Sequence, residues 1–434
     1  MLKKETKEKR VAFFIYYYTL GTSSTILNSI NVLSNNGFKV DIFAYRAFYT
    51  ENVHFNKNVN FYNFDAINTL GIVVKPNKIK TMLKQNKLIF NFLFTILNNI
   101  KKIRGAVKSF FCTYFYQKEL KNYIPEEIKT KINNIIQKEQ YLCFFGMDAF
   151  GLVFANCFNK TINVPIIYFS LELYLKDTYK LLAELREFHI MKKYESKLHQ
   201  QSVFAIIQDE EREKLLNEDN KVYKKKTLYV PVSVLGKRIT TKTDWFRKKY
   251  KIPESKKIIL ALGGITPHKV SLEIASGAQL LPDDFVLIFH GSGNSAYLNK
   301  IRLADKTKKI IISDMLIEYD KLPELVASAD LGIVGFSSIT KNFQNVGSAC
   351  GGLALYMQCG LPVIAINSLS IGKVLDENNC GIAVKEKNDI PEAVNQIMKD
   401  YSTYRANAFN CFEKKYEFSK YFNKVINEID KMVK

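Results

Sequence analysis

The chain has 434 residues, is 47% hydrophobic and 24% charged, and carries a formal charge of +21. That is too long for one ordinary core and too apolar for a disordered chain, so two folded domains are expected. The positive excess excludes an indifferent surface and points to an anionic partner: a membrane face, a nucleic acid or a phosphorylated substrate.

The start, MLKKETKEKR before VAFFIYYY, mimics a secretory leader. Its apolar run is only eight residues long and holds three tyrosines, so residues 11–18 are expected to form a first buried strand. Gly21, Thr22 and Ser23 then turn into a helix reaching about residue 35, with Ser and Thr as N-caps. Residues 39–45 (KVDIFAY) read as the next strand. The stretch 66–118 has no acid but ten basic residues among many aromatic and aliphatic ones. Lys101, Lys102, Arg104 and Lys108 lie within it. Such a pattern fits an in-plane membrane helix over anionic headgroups, or the solvated face of packed helices. Nucleic acid is the weakest option, because no recognisable nucleic-acid module accompanies the charge.

Strands are expected at residues 141–146, 164–170 and 203–208. A helix over 149–159 lies between the first two, and another over 178–201 precedes the third. Asp209, Glu210 and Glu211 open a further helix with acids in its first turn. A charged connector, 233–257, holds the single tryptophan, Trp245, and the domain boundary is placed near Gly236. Six more strands follow, at 258–262, 285–290, 310–312, 331–334, 361–366 and 381–384, each with a helical segment after it. Alternating strands and helices imply two parallel sheets, each covered by helices on both faces. Seven cysteines without a C-x-x-C pair fit a reducing compartment and no structural zinc. No stretch approaches the ~18 unbroken apolar residues of a membrane-spanning helix.

In open parallel sheets, ligands bind beyond the carboxyl ends of the strands. That rule selects Gly21–Ser23, Asp148 and Glu172 from the first half. From the second it selects the turn at Gly263 and Gly264 with His268 and Lys269, then Gly291 and Gly293, Met315, and the turn of Gly347, Ser348, Gly351, Gly352 and Leu353. A glycine-rich turn at a helix start can cradle a phosphate on free amides, or simply make a tight connection. Lys269 can neutralise a phosphate or stand in solvent, and His268 is either a ligand contact or an exposed loop residue. Asp148 and Glu172 can take a hydroxyl proton or hold an acceptor. Asp148 can also cap the helix that follows it.

These residues carry a likeness. LPELVASADLGIVGF, GGLALYMQCGLPVIA and LALGGITPHKV in the second half, with FFGMDAFGLVFA, IIYFSLELY and ESKLHQQSVFAIIQDEEREKLL in the first, resemble bacterial GT-B glycosyltransferases. The similarity is greatest to the retaining, nucleotide-sugar-dependent group (group 1, family 4-like). The resemblance implies an α/β GT-B fold: two Rossmann-like, doubly wound parallel-sheet domains facing across a cleft. Residues 1–235 would bind the acceptor and residues 236–415 the donor. Residues 416–434 would cross back to the first domain.

It also implies a reaction. A UDP-sugar or similar donor would lay its diphosphate over Gly347–Leu353 and near Lys269, with the base by Met315. The acceptor would enter near Gly21, Thr22, Ser23, Asp148 and Glu172. In retaining members the leaving phosphate takes the acceptor's proton; in an inverting one Asp148 would be the base. Where many members have Arg, Lys and Glu, this chain has Gly264, Gly352 and Leu355, so phosphate binding would rest on Lys269 and backbone amides. No cofactor and no metal are expected beyond the nucleotide-sugar co-substrate. The acceptor would be a glycan or a lipid- or protein-linked group at the cytoplasmic face of the membrane. A homo-oligomer is compatible with this reading, and so is a non-catalytic relative that stabilises a partner glycosyltransferase.

Overall fold

The computed structural model describes residues 8–16, 18–48, 50, 53–64, 124–176 and 186–433. The basic stretch 66–118, with Lys101, Lys102, Arg104 and Lys108, lies outside the described residues.

The first sheet has seven strands: β1 (Arg10–Tyr16), β2 (Lys39–Tyr45), β3 (Val59–Phe64), β4 (Cys143–Met147), β5 (Ile166–Phe169), β6 (Ala205–Ile207) and β7 (Thr227–Tyr229). The second has six: β8 (Lys257–Leu262), β9 (Phe285–His290), β10 (Ile310–Ser313), β11 (Leu331–Gly335), β12 (Val363–Ile366) and β13 (Gly381–Val384). Every pairing is parallel, in the orders β3-β2-β1-β4-β5-β6-β7 and β10-β9-β8-β11-β12-β13.

Burial explains the strand sequences. β1 reads RVAFFIY and is buried throughout. Val11, Phe13 and Ile15 enter the core on one face of the sheet, and Ala12, Phe14 and Tyr16 the core on the other. In β8, Ile258 and Leu260 alternate in the same way with Ile259 and Ala261. A strand covered on both faces needs an unbroken apolar run.

The structure departs from expectation where that signal is weak. β3 (VNFYNF) is only half-buried at the sheet edge, and the helix Glu126–Ile136 buries just Ile132 and Ile136. Neither stands out in the sequence. The strand expected from residue 361 begins at Val363. The Leu361 N–H is spent on Tyr356 O, closing the preceding helix, and Pro362 has no N–H to offer. Ser23 does occupy the N-cap position of the helix Ser24–Asn35, but its side chain makes no capping bond.

Both sheets reverse strand order in the middle, between β1 and β4 and between β8 and β11. These two switch points are where crevices open at the strand ends. The chain ties the two halves together near its end. Val234 bridges to Glu417, and the Ser233 hydroxyl donates to Tyr416 O. The last helix, Phe418–Asp430, then buries Phe418, Phe422, Val425, Ile426 and Ile429 in the first sheet's core.

Candidate functional site

The two sheets present their strand ends to one cleft of about 260 Å³, open to solvent. Tyr18, Thr22–Thr25 and Glu172 line it from the first half, and Tyr319, Leu322, Gly351, Gly352 and Leu355 from the second. Two helix starts converge there. The helix Ser24–Asn35 begins at Ser24 and Thr25, and the helix Gly351–Gln358 at Gly351 and Gly352. A Cβ on Gly351 would lie 3.7 Å from Ser24 Oγ, so the two termini nearly touch. First-turn amides have no acceptor within their own helix, and both dipoles favour an anion.

The glycine-rich turn is only partly free for a ligand. The amides of Val346 and Gly347 both donate to Ser370 Oγ, at 3.0 and 3.2 Å. Gly347 O accepts from the Tyr416 hydroxyl and Ser348 O from the Val232 amide. That half of the turn is structural. The open amides are those of Gly351, Gly352 and Leu353, since Cys350 at the N-cap offers no side-chain bond. The Leu353 side chain itself is core.

Lys269 sits at the second sheet's switch point, in a small pocket with Gly263 and Gly264. Its Nζ lies 3.7 Å from the centre of the Phe336 ring. Loss of water lowers the lysine's pKa, and the nearby Cys350 and Glu172 work against that shift. His268 is exposed, its ring stacked 5.1 Å from that of Phe343. Gly263, at φ +108°, has open space where a Cβ would stand. Gly291 and Gly293 do a different job. A Cβ at Gly291 would fall 2.0 Å from Gly263 O, and one at Gly293 2.8 Å from Ile265 O, so these glycines let neighbouring turns pack. His290 is buried, its Nδ1 2.9 Å from Ser313 Oγ. Burial, with Lys249 nearby, lowers its pKa to about 4 and keeps the ring neutral. Met315, just beyond β10, is half-buried and does not line the main cleft.

On the acceptor side the two carboxylates part company. Glu172 is exposed in the cleft. Asp148 is buried behind it and is the first residue of its helix, at φ +56°, with Met147 as N-cap. Its Oδ1 accepts from the amides of Leu171 and Glu172 at 2.6 and 3.0 Å, and its Oδ2 has no partner. Burial raises its pKa to about 8, against those two amide bonds. Gly21 stands beside the cleft's lining, and Thr22 and Ser23 within it.

Three residues escape sequence reasoning. Tyr18 lines the cleft and bonds Ser23; burial, then the Asp148 and Glu172 charges, hold its hydroxyl protonated. Arg212 is fully buried, donating to Gln208 Oε1, Asn345 O and Leu171 O at 2.5, 2.9 and 3.0 Å. Asn342 reaches across to Glu172. The acidic opening of the helix Glu210–Asn220 does flag Arg212's neighbourhood. Nothing local flags Asn342.

Comparison with solved structures settles the architecture. The chain superimposes on HepE of Anabaena, solved with UDP and glucose, at TM-score 0.63 and 10% identity, covering 98% of this chain and 100% of that one. The fold is GT-B. Sucrose-phosphate synthase of Thermosynechococcus elongatus matches at TM-score 0.65 and 12% identity, over 98% of this chain and 99% of that one. A UDP-forming α,α-trehalose-phosphate synthase from Burkholderia vietnamiensis matches at 0.58 and 9%, over 98% and 100%. Residues 316–429 match the glucosyltransferase 3-like C-terminal domain, which places the Gly351–Gln358 helix of this GT-B chain inside the matched domain. No curated protein matches the chain in sequence. Among the described residues no helix is long and apolar enough to cross a membrane, and no cluster of His, Cys, Asp or Glu has the makings of a metal site.

Proposed function

We propose that this GT-B protein is a glycosyltransferase. It moves a hexose-type sugar from a nucleotide-sugar, of the UDP class, to a hydroxyl of a glycan or of a lipid- or protein-linked acceptor. One observation carries the reading: two helix N-termini, one from each sheet, face a shared cleft that also holds Glu172. The departing diphosphate gathers negative charge, and open amides at Gly351–Leu353 with the ammonium of Lys269, which has no ion-pair partner among the described residues, are suited to stabilise it. Residues 1–235 serve the acceptor, 236–415 the donor, and 416–434 strap the two together. HepE's complex with UDP and glucose supports the donor class.

The state of Asp148 supports retention. Its carboxyl lies outside the cleft lining, is held by two amides and is protonated below about pH 8. A general base must be ionised and within reach of the acceptor hydroxyl. With Asp148 out of reach as a base, retention assigns the acceptor's proton to the leaving phosphate, and Glu172, the carboxylate in the cleft, to holding the acceptor. The charge of +21 supports a peripheral seat on the anionic cytoplasmic face of a membrane. A second reading, a non-catalytic partner of another glycosyltransferase, draws on Gly352 and Leu355, which put no charge into the cleft.

The test is nucleotide release from a panel of sugar donors, with and without membrane extract. Turnover of one donor, lost in Lys269→Ala, supports the enzyme. No turnover and no UDP binding would leave the non-catalytic reading. Anionic vesicles should retain the protein at low salt and release it at high salt; equal retention by neutral vesicles counts against the membrane seat.

A further inference from the structure

The segment after β5 is gripped from three directions. Behind it, Asp148 Oδ1 takes the amides of Leu171 and Glu172. Beside it, the buried Arg212 guanidinium joins Leu171 O to Asn345 O in the second domain. In front, a single side chain from the second domain closes the grip. Asn342 Nδ2 donates to Glu172 Oε2 at 3.0 Å, and Asn342 Oδ1 accepts from the Leu173 amide at 3.3 Å. Asn342 belongs to a four-residue helix, Lys341–Gln344, yet is only 9% exposed. A few residues on, the chain enters the turn that leads to the open amides of Gly351 and Gly352.

We infer that Asn342 is the positioning residue that couples closure of the two domains to the alignment of Glu172, the one carboxylate among the cleft's described lining residues. Both of its hydrogen bonds cross between domains, so they form only in the closed arrangement. An open cleft leaves Glu172 a free, exposed carboxylate. A primary amide suits the task because one end donates to a carboxylate while the other accepts from a backbone amide. Aspartate cannot donate, and an aliphatic side chain can do neither. Asp148, Arg212, Lys269 and Tyr18 also face Glu172, but of these only Lys269 comes from the donor domain, and it forms no ion pair with it. The consequence is an order: the donor segment and the acceptor carboxylate are registered by one latch, so a closed, loaded donor site brings a set acceptor site. The kinetic part of this inference rests on the glycosyltransferase reading above; the mechanical part does not.

The test uses the full chain with Asn342→Ala, Asn342→Gln and Asn342→Asp. Removing a hydrogen bond to a charged group should cost about ten- to a hundredfold in acceptor kcat/KM. Donor KM should stay within about twofold, because the Gly351–Leu353 amides are untouched. Asn342→Asp sets two carboxylates together and should regain activity as the pH falls, because one shared proton restores a donor between them; a purely structural role would not produce that recovery. Small-angle scattering with UDP as the only ligand supplies the independent arm, with an enlarged radius of gyration expected for Asn342→Ala and Asn342→Asp but not for wild type. If Asn342→Ala does not fold, Asn342→Asp, of the same volume, decides. Wild-type acceptor kinetics in the variants, or an unchanged radius of gyration, overturns the latch. If wild type turns over no donor, the enzyme reading fails, and scattering alone still decides whether Asn342 holds the domains closed.

Discussion

The ammonium of Lys269 stands 3.7 Å from the centre of the Phe336 ring, and among the described residues no carboxylate lies within ion-pair distance of it. Lys269 follows β8 and Phe336 follows β11, so the pair spans the second sheet's switch point. A half-buried cation resting on an aromatic face is held in place but not neutralised.

Lys269→Ala should therefore separate binding from folding. The melting temperature should change by less than the equivalent of about 1 kcal/mol, since the residue gives up only a cation–π contact. Donor kcat/KM should fall about ten- to a hundredfold, the cost of one charge-assisted bond to phosphate. Thermal melts and steady-state kinetics measure both, with calorimetric titration of UDP as a check on binding.

Two glycines should respond in opposite ways. A Cβ on Gly352 meets nothing closer than Leu262 O at 3.8 Å. Gly352→Ala should fold at least as well as wild type, gaining up to about 1 kcal/mol of helix propensity, while the methyl crowds an incoming phosphate. Gly291→Ala puts a Cβ 2.0 Å from Gly263 O at φ +144°. It should cost about 3 kcal/mol or more through steric overlap and strain. Thermal melts with UDP titrations distinguish the two.

Arg212→Met should be among the most damaging substitutions in the chain. It strands Leu171 O, Asn345 O and Gln208 Oε1 without their shared donor. Losing one buried charged partner costs about 3–5 kcal/mol. Urea unfolding should show it, with the two domains unfolding less cooperatively than in wild type.

Asp148 makes stability depend on pH. Its folded pKa of about 8 lies above that of an unfolded aspartate, about 3.9. The folded state thus binds the extra proton between these values. This contribution is full below about pH 4 and is lost as pH rises through about 8, at a slope of at most about 1.4 kcal/mol per pH unit. Asp148→Asn keeps an acceptor for the Leu171 and Glu172 amides and cannot ionise. The variant's stability relative to wild type should rise from pH 5 to pH 8 in parallel denaturant titrations. A flat difference would show that Asp148 is ionised in the fold.

The strand-end rule reached Glu172, Lys269, Gly351 and Gly352 because the apolar runs of β5, β8 and β11 mark where strands stop. It also reached Gly291 and Gly293, whose close approach turns out to be to Gly263 and Ile265. A glycine looks the same in sequence whether the atom it admits belongs to a ligand or to a neighbouring turn. Asp148 illustrates the same limit. The order strand, acid, helix fits an N-cap, a cleft base or a buried strut, and only the left-handed φ of +56° and the bonds to Leu171 and Glu172 select the strut.

The amino-acid pattern alone carried the two parallel sheets and their fully buried strands, because hydrophobic burial writes a period and a run length along the chain; the partly exposed edge strands β3 and β7 left no such mark. It also determined the strand ends and the turns beyond them, since glycine, proline and capping residues act locally. Only the tertiary structure decided which of those turns meet. The pairing of Asn342 with Glu172, 170 residues away, and the bridge of Arg212 to Asn345 depend on how two domains close, and one polar side chain in a short helix leaves no periodic trace. The tertiary structure also decided that the amides of Val346 and Gly347 serve Ser370 while those of Gly351 and Gly352 face the cleft. Hydrogen-bond competition among neighbours in space, not along the chain, sets that division.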